Sequence, residues 1–201
     1  MKNFGCAMKG HAAVVGADTS HIVNGFDWAS LGSGPVVDLA GGSGNISIML
    51  AEAFPELRFV VQDLATTREA ATAQIQACGL QDRILFEVQD SFEPQAVDHG
   101  SIMHDWEDEE YSKILRQLLP AVENGTKIVM CDKILPPKGR KATHMEFFLI
   151  FMDLLMFSLL GAKERSIDQW EALVKKTDPR LKVLAVHQPI GSERGLVVVG
   201  F

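Results

Sequence analysis

The sequence predicts an α/β protein with a mostly parallel, doubly wound sheet that ends in an antiparallel hairpin. Three observations carry this prediction. Apolar runs of strand length alternate with helical patterns along the whole chain. The first strand-like run enters a glycine turn, "VVDLAGGSGN" (36–45), that opens a helix. The last two apolar runs are joined by "PIGSERG", a hairpin connection too short for a helical crossover.

The elements follow in order. A strand is expected over 35–40, where Val36, Val37 and Leu39 are apolar, and a helix over 46–54 after the glycines. A second strand spans 58–63, and a helix over 67–78 is closed by Gly79. The third strand is 84–89. Over 109–119, Tyr111, Ile114, Leu115 and Leu118 share one apolar helix face. A long strand follows over 127–135, then a very apolar helix over 143–160. The helix over 166–176 begins with Ser166 and Gln169 at the spacing of a capping box. Strands over 182–188 and 196–201 form the hairpin.

Composition bounds the function. The chain has 201 residues, enough for one domain with a real core. A net charge of −7 argues against a polyanion such as nucleic acid as partner. Cys6, Cys78 and Cys131 are widely spaced with no C-x-x-C pair, which suits reduced thiols in a cytoplasmic protein. The stretch 145–161 is shorter than the roughly 20 residues of a membrane span, and Glu146 and Asp153 interrupt it. It reads as a buried helix, and no membrane association is expected.

The glycine turn is where a ligand is expected. Gly41, Gly42 and Gly44 let backbone approach a bound group and leave helix amides facing it. Asp63 ends the second strand, with Leu64 after it, where a carboxylate accepts both hydroxyls of an adenosine ribose. NAD and S-adenosylmethionine both fit that pair. Ser47 only partly matches the third small residue of a dinucleotide turn. Asp38, just before the glycines, would repel a pyrophosphate but attract an ammonium and a sulfonium. S-adenosylmethionine is therefore the expected cofactor. Asp90 then either binds the adenine amino group with Ser91 beside it or is a turn carboxylate. The segment "DHGSIMHDWEDEE" (98–110) leaves His104 open between a base, a capping residue and, more weakly, a metal ligand; no metal site is expected.

"FDWASLGSGPVVDLAGGSGN", "FPELRFVVQDL", "DSFEPQ", "MHDWEDEEYSKILRQLLPAV", "NGTKIVMCDKILP", "GAKERS" and "PIGSERGLVVV" occur in one order along the chain. Together they resemble the class I S-adenosylmethionine-dependent O-methyltransferases of the plant caffeic-acid and fungal secondary-metabolite type. The resemblance implies a Rossmann-like sheet and methyl transfer to a hydroxyl of a small aromatic, polyketide- or phenol-like acceptor. It makes His104 the general base, Asp132 and Glu164 the acids that orient it, and Trp106 a wall of the cofactor pocket. It places Met8 near the acceptor, with Met152, Met156, Phe157 and Leu160 as further candidate pocket walls.

The chain also departs from that family. Residues 1–25 match only the end of an N-terminal helical dimerisation domain, so 26–201 is expected to be the cofactor-binding methyltransferase domain. Before "HDW" only "AVDHGSIM" remains where the family has a whole strand, so the central fourth strand is expected to be shortened or absent. Three outcomes stand open: a methyltransferase with a rebuilt short strand, a truncated and silent relative, or a repurposed, pericyclase-like cofactor-binding protein. With the N-terminal helices absent, one side of the 145–160 helix should be an apolar patch. A homo-oligomer, or a partner supplying those helices, is expected to cover it.

Overall fold

The computed structural model describes residues 20–32, 34–95, 100–102, 106–136, 144–160, 163–188 and 194–201. A short helix α1 (Ser20–Asn24) and a 3-10 turn (Trp28–Leu31) lead into strand β1 (Val36–Leu39). Then come α2 (Asn45–Ala53), β2 (Phe59–Asp63), α3 (Arg68–Ala77), β3 (Ile84–Val88) and β4 (Gly100–Ile102). Next are α4 (Asp108–Gln117), α5 (Leu119–Glu123), β5 (Ile128–Leu135) and α6 (His144–Leu160). The chain ends with β6 (Arg165–Ser166), α7 (Ile167–Thr177), β7 (Lys182–His187) and β8 (Arg194–Gly200).

The strands form one sheet in the order β3-β2-β1-β4-β5-β8-β7, with β6 paired to the end of β5. β1 to β5 run parallel, and β8 and β7 add antiparallel as the expected hairpin. The strand order reverses between β1 and β4, and in open α/β sheets a ligand crevice forms beyond the strand ends at such a point.

The short fourth strand is present. β4 has three residues, yet it pairs with both neighbours: Ser101 is in register with Asp38 of β1 and with Val129 of β5. A strand this short at the centre forms because β1 and β5 offer it a ladder on each side.

Apolar side chains cover both faces of the sheet, as buried parallel strands require. Ile128 and Met130 of β5 pack with Tyr111, Leu115, Trp170 and Val174, while Val129 and Cys131 pack with Ile48, Phe59 and Ile75 on the other face. Ser166 and Gln169 form the expected capping box at the start of α7.

Two expectations are corrected. The helix over 109–119 stops at Gln117, and a separate turn of helix, α5, begins with Pro120 near its N-terminus. Proline fits a first helical turn but not a helix interior, which explains the break. The apolar helix α6 is not buried all round. Phe147, Leu154 and Phe157 are 70%, 62% and 65% exposed, with Ile150 and Phe151 beside them, while Leu149 is buried. That exposed side is the apolar patch anticipated from the sequence. Among the described residues no helix is long and apolar enough to cross a membrane.

Candidate active site

The crevice is built first by the turn after β1. Ala40 has a φ of 56° and Gly42 and Gly44 have 58° and 77°, so the chain makes a left-handed reversal here that glycine adopts without steric cost. Gly41 is required for another reason. A Cβ on it would stand 2.7 Å from Asp38 Cγ, so any side chain would collide with that carboxylate.

Asp38 is 3% exposed. The Ser47 hydroxyl donates to its Oδ2 at 2.7 Å, and Oδ1 has no hydrogen-bond partner among the described residues. Ser47, which only half-fitted a dinucleotide turn, therefore serves Asp38. Burial raises the Asp38 carboxyl from 3.8 to about 6, although the Ser47 hydroxyl and amide hold it down. Between those values the native state binds more protons than the unfolded chain. The stability this carboxyl contributes is complete below about 3.8 and is lost as pH rises through about 6, a change of about 3 kcal/mol. Asp38→Asn is expected to flatten that part of the stability curve, which denaturant unfolding at a series of pH values would measure.

Asp63 faces the same turn. Its Oδ2 accepts from the Gly42 amide at 2.8 Å and its Oδ1 from the Leu64 amide at 2.6 Å. Each oxygen keeps lone-pair capacity for a further donor. Ala40, Asp63, Leu64, Gln89, Asp90, Ser91, Phe92 and Trp106 line a pocket of about 170 Å³. Phe92 and Trp106 meet edge to face at 5.1 Å, so the far wall is aromatic. Asp90 both lines the pocket and caps its own turn, with Oδ1 accepting from the Phe92 amide at 2.9 Å.

A second acidic centre lies at the end of β5. Asp132 and Glu164 are 1% and 2% exposed. Burial pushes both carboxyls up, that of Asp132 well up, with Glu164 adding to the effect on Asp132. Lys133 is also buried, and its Nζ lies 3.6 Å from Glu164 Oε1. The Glu164 amide donates to Asp153 Oδ1 of α6 at 2.7 Å, so α6 fixes the backbone that carries Glu164.

Arg165 is the residue that the sequence did not single out. It is fully buried between the rings of Tyr111 and Trp170, 5.1 and 4.8 Å from their centroids. Its guanidinium donates to the Trp106 carbonyl at 2.8 Å, to Asp108 Oδ1 at 3.0 Å and to the Lys163 carbonyl at 3.3 Å. One planar fork thus ties the start of α4 to the segment carrying Glu164, just before β6. Asp108 is half-exposed but held by two cations: partial burial works against ionisation, while Lys163 and Arg165 hold its pKa below 3.8. Arg165→Lys keeps the charge but cannot serve all three acceptors. It is expected to cost about 2–3 kcal/mol of stability by denaturant unfolding.

The structure brings Asp38, Gly41, Gly42, Gly44, Asp63, Leu64, Asp90, Ser91 and Trp106 to one crevice, and Asp132 and Glu164 to one buried pair. His104 and Met8 lie outside the described residues. Met152, Met156 and Leu160 belong to α6, but their side chains lie outside the described set. Phe157 lies on the outer face of α6, where it lines a surface groove with Phe147, Phe151 and Lys163.

Comparison with known proteins agrees with this arrangement. The O-methyltransferase domain family matches residues 1–178. The O-methyltransferase VdtC of Byssochlamys spectabilis is 38% identical, over 98% of this chain and 48% of that protein. A solved O-methyltransferase from neocarzinostatin biosynthesis, in complex with S-adenosylmethionine and 2-hydroxy-5-methyl naphthoic acid, superposes with a TM-score of 0.79. It is 28% identical and aligns over 98% of this chain and 56% of that one. A structure described as a pericyclic reaction enzyme aligns at 27% identity and a TM-score of 0.70, over 87% of this chain and 44% of that one. The chain spans about half the length of the curated relatives it matches. With the glycine turn, both crevice carboxylates and the acid pair in place, the chain belongs to the O-methyltransferase domain family.

Proposed function

We propose that the protein is an S-adenosylmethionine-dependent O-methyltransferase acting on a hydroxyl of a small aromatic, polyketide- or phenol-like acceptor of secondary metabolism. The observation that carries this reading is the pair Asp38 and Asp63 on either side of the glycine turn. The Asp38 oxygen that has no partner among the described residues is a buried negative charge in want of a cation at neutral pH. Asp63 is held by two amides with its remaining lone pairs open to ribose hydroxyls. Leu64, Phe92, Asp90, Ser91 and Trp106 suit an adenine, with apolar and aromatic walls and a polar edge. These residues fit S-adenosylmethionine.

When bound, the cofactor supplies a methyl group activated by its sulfonium. The chain must hold an acceptor hydroxyl in line and take its proton. His104 is the proposed base: an imidazole titrates near 6.5 and a phenol near 10, so it assists as the hydroxyl acidifies during transfer. Asp132 and Glu164 are proposed to hold the imidazole in the correct tautomer and to stabilise its cation. Met8, Met152, Met156 and Leu160 are proposed acceptor contacts.

Calorimetry with S-adenosylmethionine and S-adenosylhomocysteine, followed by turnover on a panel of phenols and hydroxynaphthoic acids, tests the proposal. Absence of cofactor binding would overturn it. Binding without turnover would instead support the silent or repurposed relative, for which the three-residue β4 is the motivating feature. Asp38→Asn should weaken S-adenosylmethionine more than its neutral-sulfur product. In the unaltered protein that preference should fall as pH drops through about 6. Equal losses for both ligands would remove the sulfonium from Asp38's role.

The exposed side of α6 carries a further expectation. A contiguous apolar face of this extent is unusual on a monomer. The 201-residue chain is proposed to self-associate through it, with light scattering showing a concentration-dependent mass that Phe147→Lys and Phe157→Lys lower. A clean monomer at high concentration would refute this.

A further inference from the structure

The buried acid pair contains an unbalanced set of acceptors. The Asp132 and Glu164 carboxyls lie within hydrogen-bonding reach of one another. Carboxylate oxygens only accept, so two ionised groups so placed would repel without a bond between them. Asp132 Oδ1 already accepts from the Lys133 amide at 2.7 Å, whereas Asp132 Oδ2 and both Glu164 oxygens have no hydrogen-bond donor among the described residues. One proton between the two carboxyls removes the repulsion and satisfies two of these three oxygens, one as donor and one as acceptor. It belongs on Asp132 Oδ2, because Glu164 has the Lys133 ammonium at 3.6 Å to favour its charge.

We infer that Lys133 is a positioning residue that keeps Glu164 ionised, so that Asp132 carries the proton and donates it in a hydrogen bond to Glu164. The two acids then have different work: Glu164 supplies the fixed negative charge, and Asp132 orients it as a neutral acid. This assignment deepens the methyltransferase reading and rests on it for the pair's role toward a base, but the protonation pattern itself does not need turnover. The other charges near the pair fit the same pattern. Arg165 and Arg194 act on Asp132, and Asp153 repels charge on Glu164. The Tyr111 phenol, pushed well up by burial and by Asp132, stays neutral, as does the buried Cys131 thiol. Among the described residues, Lys133 is the cationic side chain paired with Glu164 directly.

Infrared spectroscopy of the whole chain is the test, at a pH above the titration of Asp38, which among the described residues is the other buried carboxyl with a raised pKa. A carboxylic-acid carbonyl band is expected, shifted by heavy-carbon labelling of aspartate side chains and not of glutamate. Asp132→Asn should remove it. Lys133→Met should add a second acid band that follows the glutamate label, and Lys133→Arg should restore the single aspartate band. No acid band in the unaltered protein, or one that follows glutamate, overturns the inference. Should Lys133→Met fail to fold, the isotope assignment in the unaltered protein still decides. If cofactor binding and turnover are both absent while the aspartate band is present, the methyltransferase reading fails and the proton assignment survives. If the protein turns over, Lys133→Met should also displace the acidic limb of its kcat–pH profile, which Lys133→Arg should return.

Discussion

His104→Ala is expected to lower kcat by about 10²–10⁴-fold while leaving S-adenosylmethionine affinity within about twofold. A base acts on the proton that leaves in the transition state and contributes little to the resting complex. The loss should therefore appear in kcat and not in the calorimetric Kd. Stopped or continuous methyl-transfer assays on the variant, beside titrations with S-adenosylhomocysteine, separate the two quantities. If binding and folding fall together, His104 is a capping or packing residue at the entry to α4 and the base lies elsewhere. If the unaltered chain itself turns over no acceptor, the silent-relative reading gains.

Asp63→Ala should weaken binding of S-adenosylmethionine and S-adenosylhomocysteine alike, by about 100-fold or more. Two charge-assisted hydrogen bonds to ribose are worth about 1.5–3 kcal/mol each. The Gly42 and Leu64 amides also lose their acceptor, so the turn should loosen. Asp63→Asn keeps one oxygen and should lose less, about tenfold. Thermal unfolding of both variants without ligand checks that the sheet is intact. Full affinity in Asp63→Ala would remove Asp63 from the ribose position.

Much of the crevice was legible in the chain because it depends on local geometry. A carboxylate before a glycine turn and another at the end of the next strand must lie near each other once the two strands pair in parallel. Asp38 and Asp63 do so. Trp106 was legible through the family's motifs and Asp90 through its place after the third strand, and both line the pocket. What escaped the reading depends on long-range contacts. Arg165 looks like one more basic residue in "GAKERS", and nothing local reveals that it is sealed between Tyr111 and Trp170 while holding Trp106 and Asp108. Lys133 on an apolar strand gave no sign of its partner, because Glu164 lies 31 positions away and meets it through the pairing of β6 with β5.

The sequence by itself determined the alternation of strands and helices, the site of the glycine turn, the capping box at Ser166 and the antiparallel close of the sheet. These follow from side-chain period, backbone freedom and hydrogen bonds between residues a few positions apart. Tertiary structure alone decided whether the shortened fourth strand could exist. Three residues have too little ladder to persist by themselves, and β4 forms because β1 and β5 stand on both sides to bond it. It likewise decided which side of α6 is covered, since that helix is apolar almost all round and its packing against β5 is a long-range contact. The proton balance of Asp132 and Glu164 was decided there too. A carboxyl's charge is fixed by how much water it keeps and by which charges fold against it.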